Sequence, residues 1–133
     1  MATPSPVITE ELRRQAIGRQ GKPTTLEVEK GAILRFAQAV GDPNPWWNDE
    51  AAARKGRYGG LVAPPTFLRV LGVLEVELPF PLPSRLLDGG SQWEYFEPVR
   101  PGDRITAVAT VEDIFQKEGR AGPTVFKIGR AHV

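Results

Sequence analysis

Between Gly41 and Leu68 the chain reads G-D-P-N-P-W-W-N-D-E-A-A-A-R-K-G-R-Y-G-G-L-V-A-P-P-T-F-L. Few sequences commit so much backbone in so short a span. Pro43 and Pro45 lock φ on either side of Asn44, which holds the peptide extended and presents Asp42 and Asn44 in set orientations. Asp49 is suited to cap a helix that runs to Lys55, with Glu50 in its first turn, Arg54 and Lys55 at its cationic end and Gly56 as its terminator. Gly59 and Gly60 permit a tight bend, and Pro64 and Pro65 suit the opening of a further helix. Turn and cap residues at this density are expected to shape a site.

The flanking sequence supplies the elements that would carry such a site. Thr9 can cap a short helix, with Glu10 and Glu11 in its first turn and Gly18 just past its end. Leu26 and Val28 alternate with Glu27 and Glu29, the period of a half-buried strand over Thr24 to Glu29. Ala32, Ile33, Phe36, Ala37 and Val40 share one helical face, so Gly31 to Val40 reads as an amphipathic helix that Gly41 ends. Thr66 to Leu78 is apolar almost all round, which predicts a central buried helix in which Gly72 marks the close approach of another backbone. Pro79 to Gly90 reads as a loop. Ser91 to Phe96 reads as a strand with Trp93 and Tyr95 on one face. The turn P-V-R-P-G-D, Pro98 to Asp103, leads into a strand over Asp103 to Phe115 in which Ile105, Ala107, Ala109 and Val111 face one way. Gly119 to Pro123 turns the chain into a last strand from Thr124. The order predicts an α+β fold, an antiparallel sheet around a long helix.

At 133 residues the chain has the length of one domain. Its formal net charge of +1 offers nothing to attract nucleic acid or an anionic membrane surface. No stretch approaches the length of an apolar membrane span. The absence of cysteine excludes disulfides and thiolate metal sites, and M-A-T-P-S-P at the start lacks the apolar core of a signal peptide, so a cytoplasmic location is expected. A lone histidine, His132, leaves no basis for a metal site or a Ser/His/Asp constellation, and no cofactor is implied. The last seven residues, Lys127 to Val133, read K-I-G-R-A-H-V, as a common sequencing adapter does when translated in one frame. The domain is therefore expected to span 1–126, with 127–133 a non-native tail that leaves the sheet unclosed and His132 without a role.

G-D-P-N-P, D-E-A-A-A, Y-G-G-L-V-A-P-P-T-F and P-V-R-P-G-D, in that order, resemble the MaoC-like hot-dog-fold dehydratases, and within them the amino-terminal FAS1-like dehydratase domain. The likeness covers about Thr9 to Phe126. It implies the hot-dog fold, pairing with a second hot-dog subunit, and acyl thioesters of coenzyme A or acyl carrier protein as substrates. Active members add water to, or remove it from, the double bond next to the thioester, which takes a base, an acid and a donor for the enolate oxygen. The family places an Asp at the start of the motif, a His five positions on, and a Gly N–H at the head of the central helix. In this chain Asp42 fills the first place, Trp47 falls on the second with Asn48 beside it, and Pro65, which has no N–H, falls on the third.

On that resemblance Asp42 and Asn44 are the candidate catalytic residues, and Trp46, Trp47, Ala63, Pro64, Pro65 and Phe67 the candidate substrate-binding residues. Each has a plainer reading: a turn aspartate and asparagine, a tryptophan core plug or interface anchor, a proline helix start. Arg54, Lys55 and Arg57 could meet coenzyme A phosphates or simply form a solvated helix end. Three functions follow as expectations. The first is the substrate-supporting half of an (R)-specific hydratase or 3-hydroxyacyl dehydratase whose partner supplies Asp and His. The others are a self-sufficient homodimer using Asp42, and a non-catalytic acyl-CoA binding module.

Overall fold

The computed structural model describes residues 8–120 and 122–133. The opening M-A-T-P-S-P and Ala121, in the expected Gly119–Pro123 turn, lie outside the described residues. The chain divides into two compact units. One gathers Thr25–Gly72 and Gln92–Thr106, the other the segment up to Thr24, Val73–Ser91 and Ala107–Val133.

The unit built on Thr25–Gly72 holds most of the helices. After β1 (Thr24–Glu27), Val28 is tied to the later turn by two backbone bonds: its N–H donates to Asp103 O and its O accepts from Gly102 N–H, both at 2.8 Å. That turn closes as the P-V-R-P-G-D pattern predicts, with Arg100 N–H donating to Asp103 Oδ2 at 2.9 Å and Gly102 at φ +89°. The amphipathic helix forms as α2 (Lys30–Val40) and buries Ile33 and Ala37. It stops at Gly41, whose left-handed φ of +71° lets Gly41 N–H reach Gln38 O and Asp42 N–H reach Ala37 O, both at 3.1 Å. Two short helices follow, α3 (Pro45–Asn48) and α4 (Glu50–Arg54). The peptide around Asn44 is thus extended only up to Pro45, which opens α3 instead of prolonging the strand-like run; Pro at a first helical position has the φ a helix needs. These elements close on a core of Val28, Ile33, Ala37, Trp47, Ala53, Leu61, Val62 and Phe67.

Two expectations fail between Thr66 and Phe96. The long apolar helix does not form: Phe67–Leu71 makes one short 3-10 stretch, and no regular element follows until β2. Gly72 is the reason at the backbone, since its φ of +73° and ψ of −157° belong to a region that breaks a helix. No neighbouring atom lies within 4 Å of where its Cβ would stand, so it marks a bend and not a close approach. The β-branched Val70, Val73 and Val76 hold little intrinsic helix preference against that bend. The segment's apolar residues also part company: Phe67 and Leu68 join the core just described, whereas Val76, Leu78, Phe80 and Leu82 join that of the other unit. Ser91–Phe96 forms no strand either, although the Trp93 and Tyr95 rings do stack on one side, 6.1 Å apart and 3° from parallel. Alternation orients side chains, but a strand also needs a partner backbone, and here none pairs.

The other unit centres on an antiparallel strand pair, two of the three strands of the sheet. α1 (Glu10–Ala16) is capped by Thr9, whose Oγ1 accepts from Leu12 N–H at 3.2 Å, and it buries Ala16. Behind Gly18, the chain lies along β2 (Arg104–Gly119), with Gly18 N–H on Val111 O, Val111 N–H on Arg19 O and Gly21 N–H on Ala109 O, each at 2.9 Å. The sheet order is β1-β2-β3, and β3 (Gly122–His132) pairs antiparallel with β2 from Gly119↔Gly122 to Val108↔His132. Val111 faces Gly129 and Asp113 faces Ile128, which leaves Glu112 as an unpaired bulge residue. Before the bulge Ala107, Ala109 and Val111 are buried; after it Ile114 is. Asp113 stitches the bulge, accepting Ile114 N–H and the Arg13 Nε–H on Oδ1, each at 2.8 Å. The Arg13 bond, chiefly, holds the Asp113 carboxyl below its usual range.

Candidate functional site

A cleft of about 450 Å³ opens in the unit built on Thr25–Gly72. Its size suits a small organic ligand. The wall is made by three pieces of chain: Trp46 and Trp47 from α3, the run Arg57 to Leu68, and Tyr95 to Val99. Backbone bonds hold these pieces together, Val62 N–H donating to Trp46 O at 3.1 Å and Ala63 N–H to Val99 O at 2.8 Å. Arg100 adds a third tie, its Nη1–H on Tyr58 O at 2.8 Å.

The aromatic wall is set edge to face. Trp46 meets Trp47 at 6.4 Å and 81°, and meets Tyr58 at 5.3 Å and 83°. Such T-shaped pairs contribute about 0.5–1.5 kcal/mol beyond area burial. Phe67 closes the floor against Phe36 at 5.6 Å and 82°. Opposite them the Tyr95 hydroxyl donates to Pro65 O. Burial raises the Tyr95 phenol above its ordinary range, so it stays protonated through neutral pH. The Arg57 guanidinium lies 5.6 Å over the Tyr58 ring, at the exposed edge of the cleft.

Trp47 is 8% exposed, and its Nε1 is a buried donor with no hydrogen-bond partner. An unmet buried N–H costs about 1–3 kcal/mol. Trp46, Trp47, Ala63, Pro64, Pro65 and Phe67, the six substrate-binding candidates, all stand on this one wall. Asp42, Asn44 and Asn48 are not among the lining residues. They make a turn: Asp42 Oδ1 accepts Asn44 N–H at 3.0 Å, and Asn44 Oδ1 accepts Trp46 N–H at 2.9 Å and so caps α3. Asn48 Nδ2 closes the ring on Asp42 O at 2.6 Å and Asn44 O at 2.8 Å. The turn therefore sets the direction of Trp46 and Trp47, which do line the cleft.

Sequence reasoning did not place Tyr58, Tyr95, Phe96, Glu97 or Val99 at the site. Tyr95 was legible only as a sheet residue, and nothing local ties it to Pro65, thirty positions away. Among the described residues no group of His, Cys, Asp and Glu side chains could hold a metal ion, and no helix is long and apolar enough to cross a membrane.

Known proteins match both the sequence and the fold. A UPF0336 protein of Streptomyces avermitilis is 38% identical over 113 residues, 77% of this chain and 73% of the relative. The crystal structure of the MaoC-like dehydratase from Rhodospirillum rubrum shares 29% identity, a TM-score of 0.66, 87% of this chain and 79% of its own. That of the ChsH1-ChsH2 complex from Mycobacterium tuberculosis, at 21% identity, matches in fold with a TM-score of 0.68 over 91% of this chain and 80% of its own. Residues 15–133 match the FAS1-like dehydratase domain region. The chain belongs to that family and has the α+β hot-dog fold of the MaoC-like dehydratases.

Proposed function

We propose that this chain is the substrate-supporting hot-dog subunit of an (R)-specific enoyl-thioester hydratase or 3-hydroxyacyl-thioester dehydratase, and that a partner hot-dog subunit supplies the catalytic Asp and His. The observation that carries the reading is the split between wall and chemistry. Six candidate binding residues line one apolar cleft, while the Asp42 carboxylate is engaged in the turn that aims the tryptophans. Hydration of a double bond beside a thioester takes a proton carrier near neutral pH, and no imidazole lines the cleft among the described residues. Pro65 has no N–H with which to hold an enolate oxygen. A likeness in fold to a two-protein hot-dog complex supports the pairing.

The chain then contributes shape, exclusion of water from the acyl chain and orientation of the thioester. The test is hydration of crotonyl-CoA by the chain alone and with a MaoC-like subunit co-expressed. Turnover is expected only with the partner, and robust hydration by the chain alone overturns the proposal. If that activity is also lost in Asp42→Asn, the self-sufficient homodimer replaces it. Tight binding of crotonyl-CoA without turnover in any pairing replaces it with an acyl-CoA binding module.

A further inference from the structure

We infer that Arg57 is a specificity residue: it binds the single phosphate at the far end of the thioester's pantetheine arm, so that coenzyme A and a carrier protein's phosphopantetheine serve alike. The inference rests on the function proposed above and names what its substrate must carry. Arg57 and Glu97 are the charged residues of the cleft lining, and the rest of it is apolar or aromatic. Among the described residues Arg57 makes no hydrogen bond and no ion pair; its head is engaged only with the Tyr58 ring, 5.6 Å away. The cations before it differ. Arg54 Nη2 is paired with Glu50 Oε1 at 3.4 Å, and neither Arg54 nor Lys55 lines the cleft.

The Arg57 head is placed without its donors being consumed. A cation held over a ring keeps its N–H groups available. Tyr58 is fixed in turn, its ring edge to face with Trp46 at 5.3 Å and its carbonyl O accepting from Arg100 Nη1 at 2.8 Å. Gly59, at φ +68°, closes the turn that carries both residues, its N–H on Gly56 O at 3.1 Å. A planar guanidinium with unspent donors matches the paired oxygens of a phosphate. Arg57 is exposed, so a phosphate there keeps part of its hydration, which the apolar interior would strip away. A pantetheine thioester has this polarity along its length, with the acyl chain at one end and the phosphate at the other. One unpaired guanidinium in the lining answers one phosphate, and the Glu97 carboxylate disfavours more negative charge in the cleft. The further phosphates of coenzyme A meet no second cation of the lining. Arg57 stands apart from the reacting carbons and acts on binding, not on the chemical step.

Three crotonyl thioesters test this: on pantetheine, which has no phosphate, on phosphopantetheine, which has one, and on coenzyme A. Binding is measured to the full chain, alone and with its co-expressed partner subunit. The second and third are expected to bind within about twofold of each other and about tenfold more tightly than the first, as one exposed charge-assisted contact predicts. Arg57→Ala is expected to abolish that preference and leave the affinity for the pantetheine thioester unchanged, which also shows that the variant is folded. Arg57→Lys, which keeps the charge and loses the fork, should fall between. With the partner present, Arg57→Ala is expected to raise KM for crotonyl-CoA about tenfold at unchanged kcat. An undiminished phosphate preference in Arg57→Ala, an equal loss in Arg54→Ala, or coenzyme A bound far more tightly than phosphopantetheine overturns this inference and leaves the proposed function standing. No binding of any of the three, in either arrangement, removes both.

Discussion

Gly41–Arg54 and Thr66–Phe96 are both rich in residues with strong structural preferences, yet only the first folds as those preferences say. In Gly41–Arg54 each preference is discharged by a neighbour. Gly41 closes α2, Asn44 caps α3 and Asp49 caps α4, the last through its own Oδ1 on Ala52 N–H at 3.1 Å. In Thr66–Phe96 the preference was apolar pattern, which states that a residue seeks burial but not against what. The helix expected there broke at Gly72 and the strand found no partner. Capping is a local contract between a side chain and an amide a few residues away; burial is settled by distant chain.

The comparison can be broken most forcefully at Phe67 and Leu87. Phe67 is 1% exposed and Leu87 97%. Phe67→Ala is expected to cost about 3–5 kcal/mol in denaturant unfolding, and Leu87→Ala to stay within about 0.5 kcal/mol. Comparable losses at both would mean that Thr66–Phe96 is packed throughout.

Gly72→Ala then gives a test of sign. Were the segment helical, alanine would stabilise it by about 1 kcal/mol. With φ at +73° and ψ at −157° it is expected to destabilise by about 1–3 kcal/mol instead.

Smaller effects probe the local contract. Asn48→Ala, which frees Asp42 O and Asn44 O, is expected to cost about 1–2 kcal/mol. Asn44→Ala, a lost cap, should cost about 1 kcal/mol. Both variants should also loosen the indole signals of Trp46 and Trp47, since the turn aims them. The smallest effect lies in the other unit. The Asp113 carboxyl is held below the ordinary carboxylate range by Arg13, so its contribution is present above that range and is lost as the pH falls through the lower folded value. Asp113→Asn is expected to lower stability slightly at pH 7, to make no difference once the carboxyl is protonated in acid, and so to flatten the acid limb of a stability–pH curve.

Legibility followed the same division. The α+β class, α1 with its Thr9 cap, α2 with its Gly41 stop, the turn at Arg100–Asp103 and the buried face of β2 could all be read from spacing and cap chemistry, because their determinants lie within a turn or two of each other. The six wall residues were legible through the ordered motifs they belong to. Tyr95, Val99 and Tyr58 were not, because Tyr95 reaches Pro65, and Val99 reaches Ala63, only after the chain has travelled thirty or more positions. The unpaired state of Trp47 Nε1 was also invisible, since an orphan donor is defined by what does not surround it.

The bulge at Glu112 acts on β2 as a frameshift acts on a message. Ala107, Ala109 and Val111 share odd numbers and Ile114 does not, so one surplus residue moves the inward face to the other parity. Excising Glu112 alone would restore strict alternation through Ile114. Excising Asp113 would give the same alternation but remove the carboxylate that holds Arg13, whereas a deletion between Ala107 and Val111 would turn part of the inward face out to water. The strand therefore has one place, Glu112–Asp113, at which its length can drift by a residue without exchanging inside for outside, and length variants of this chain should gather there.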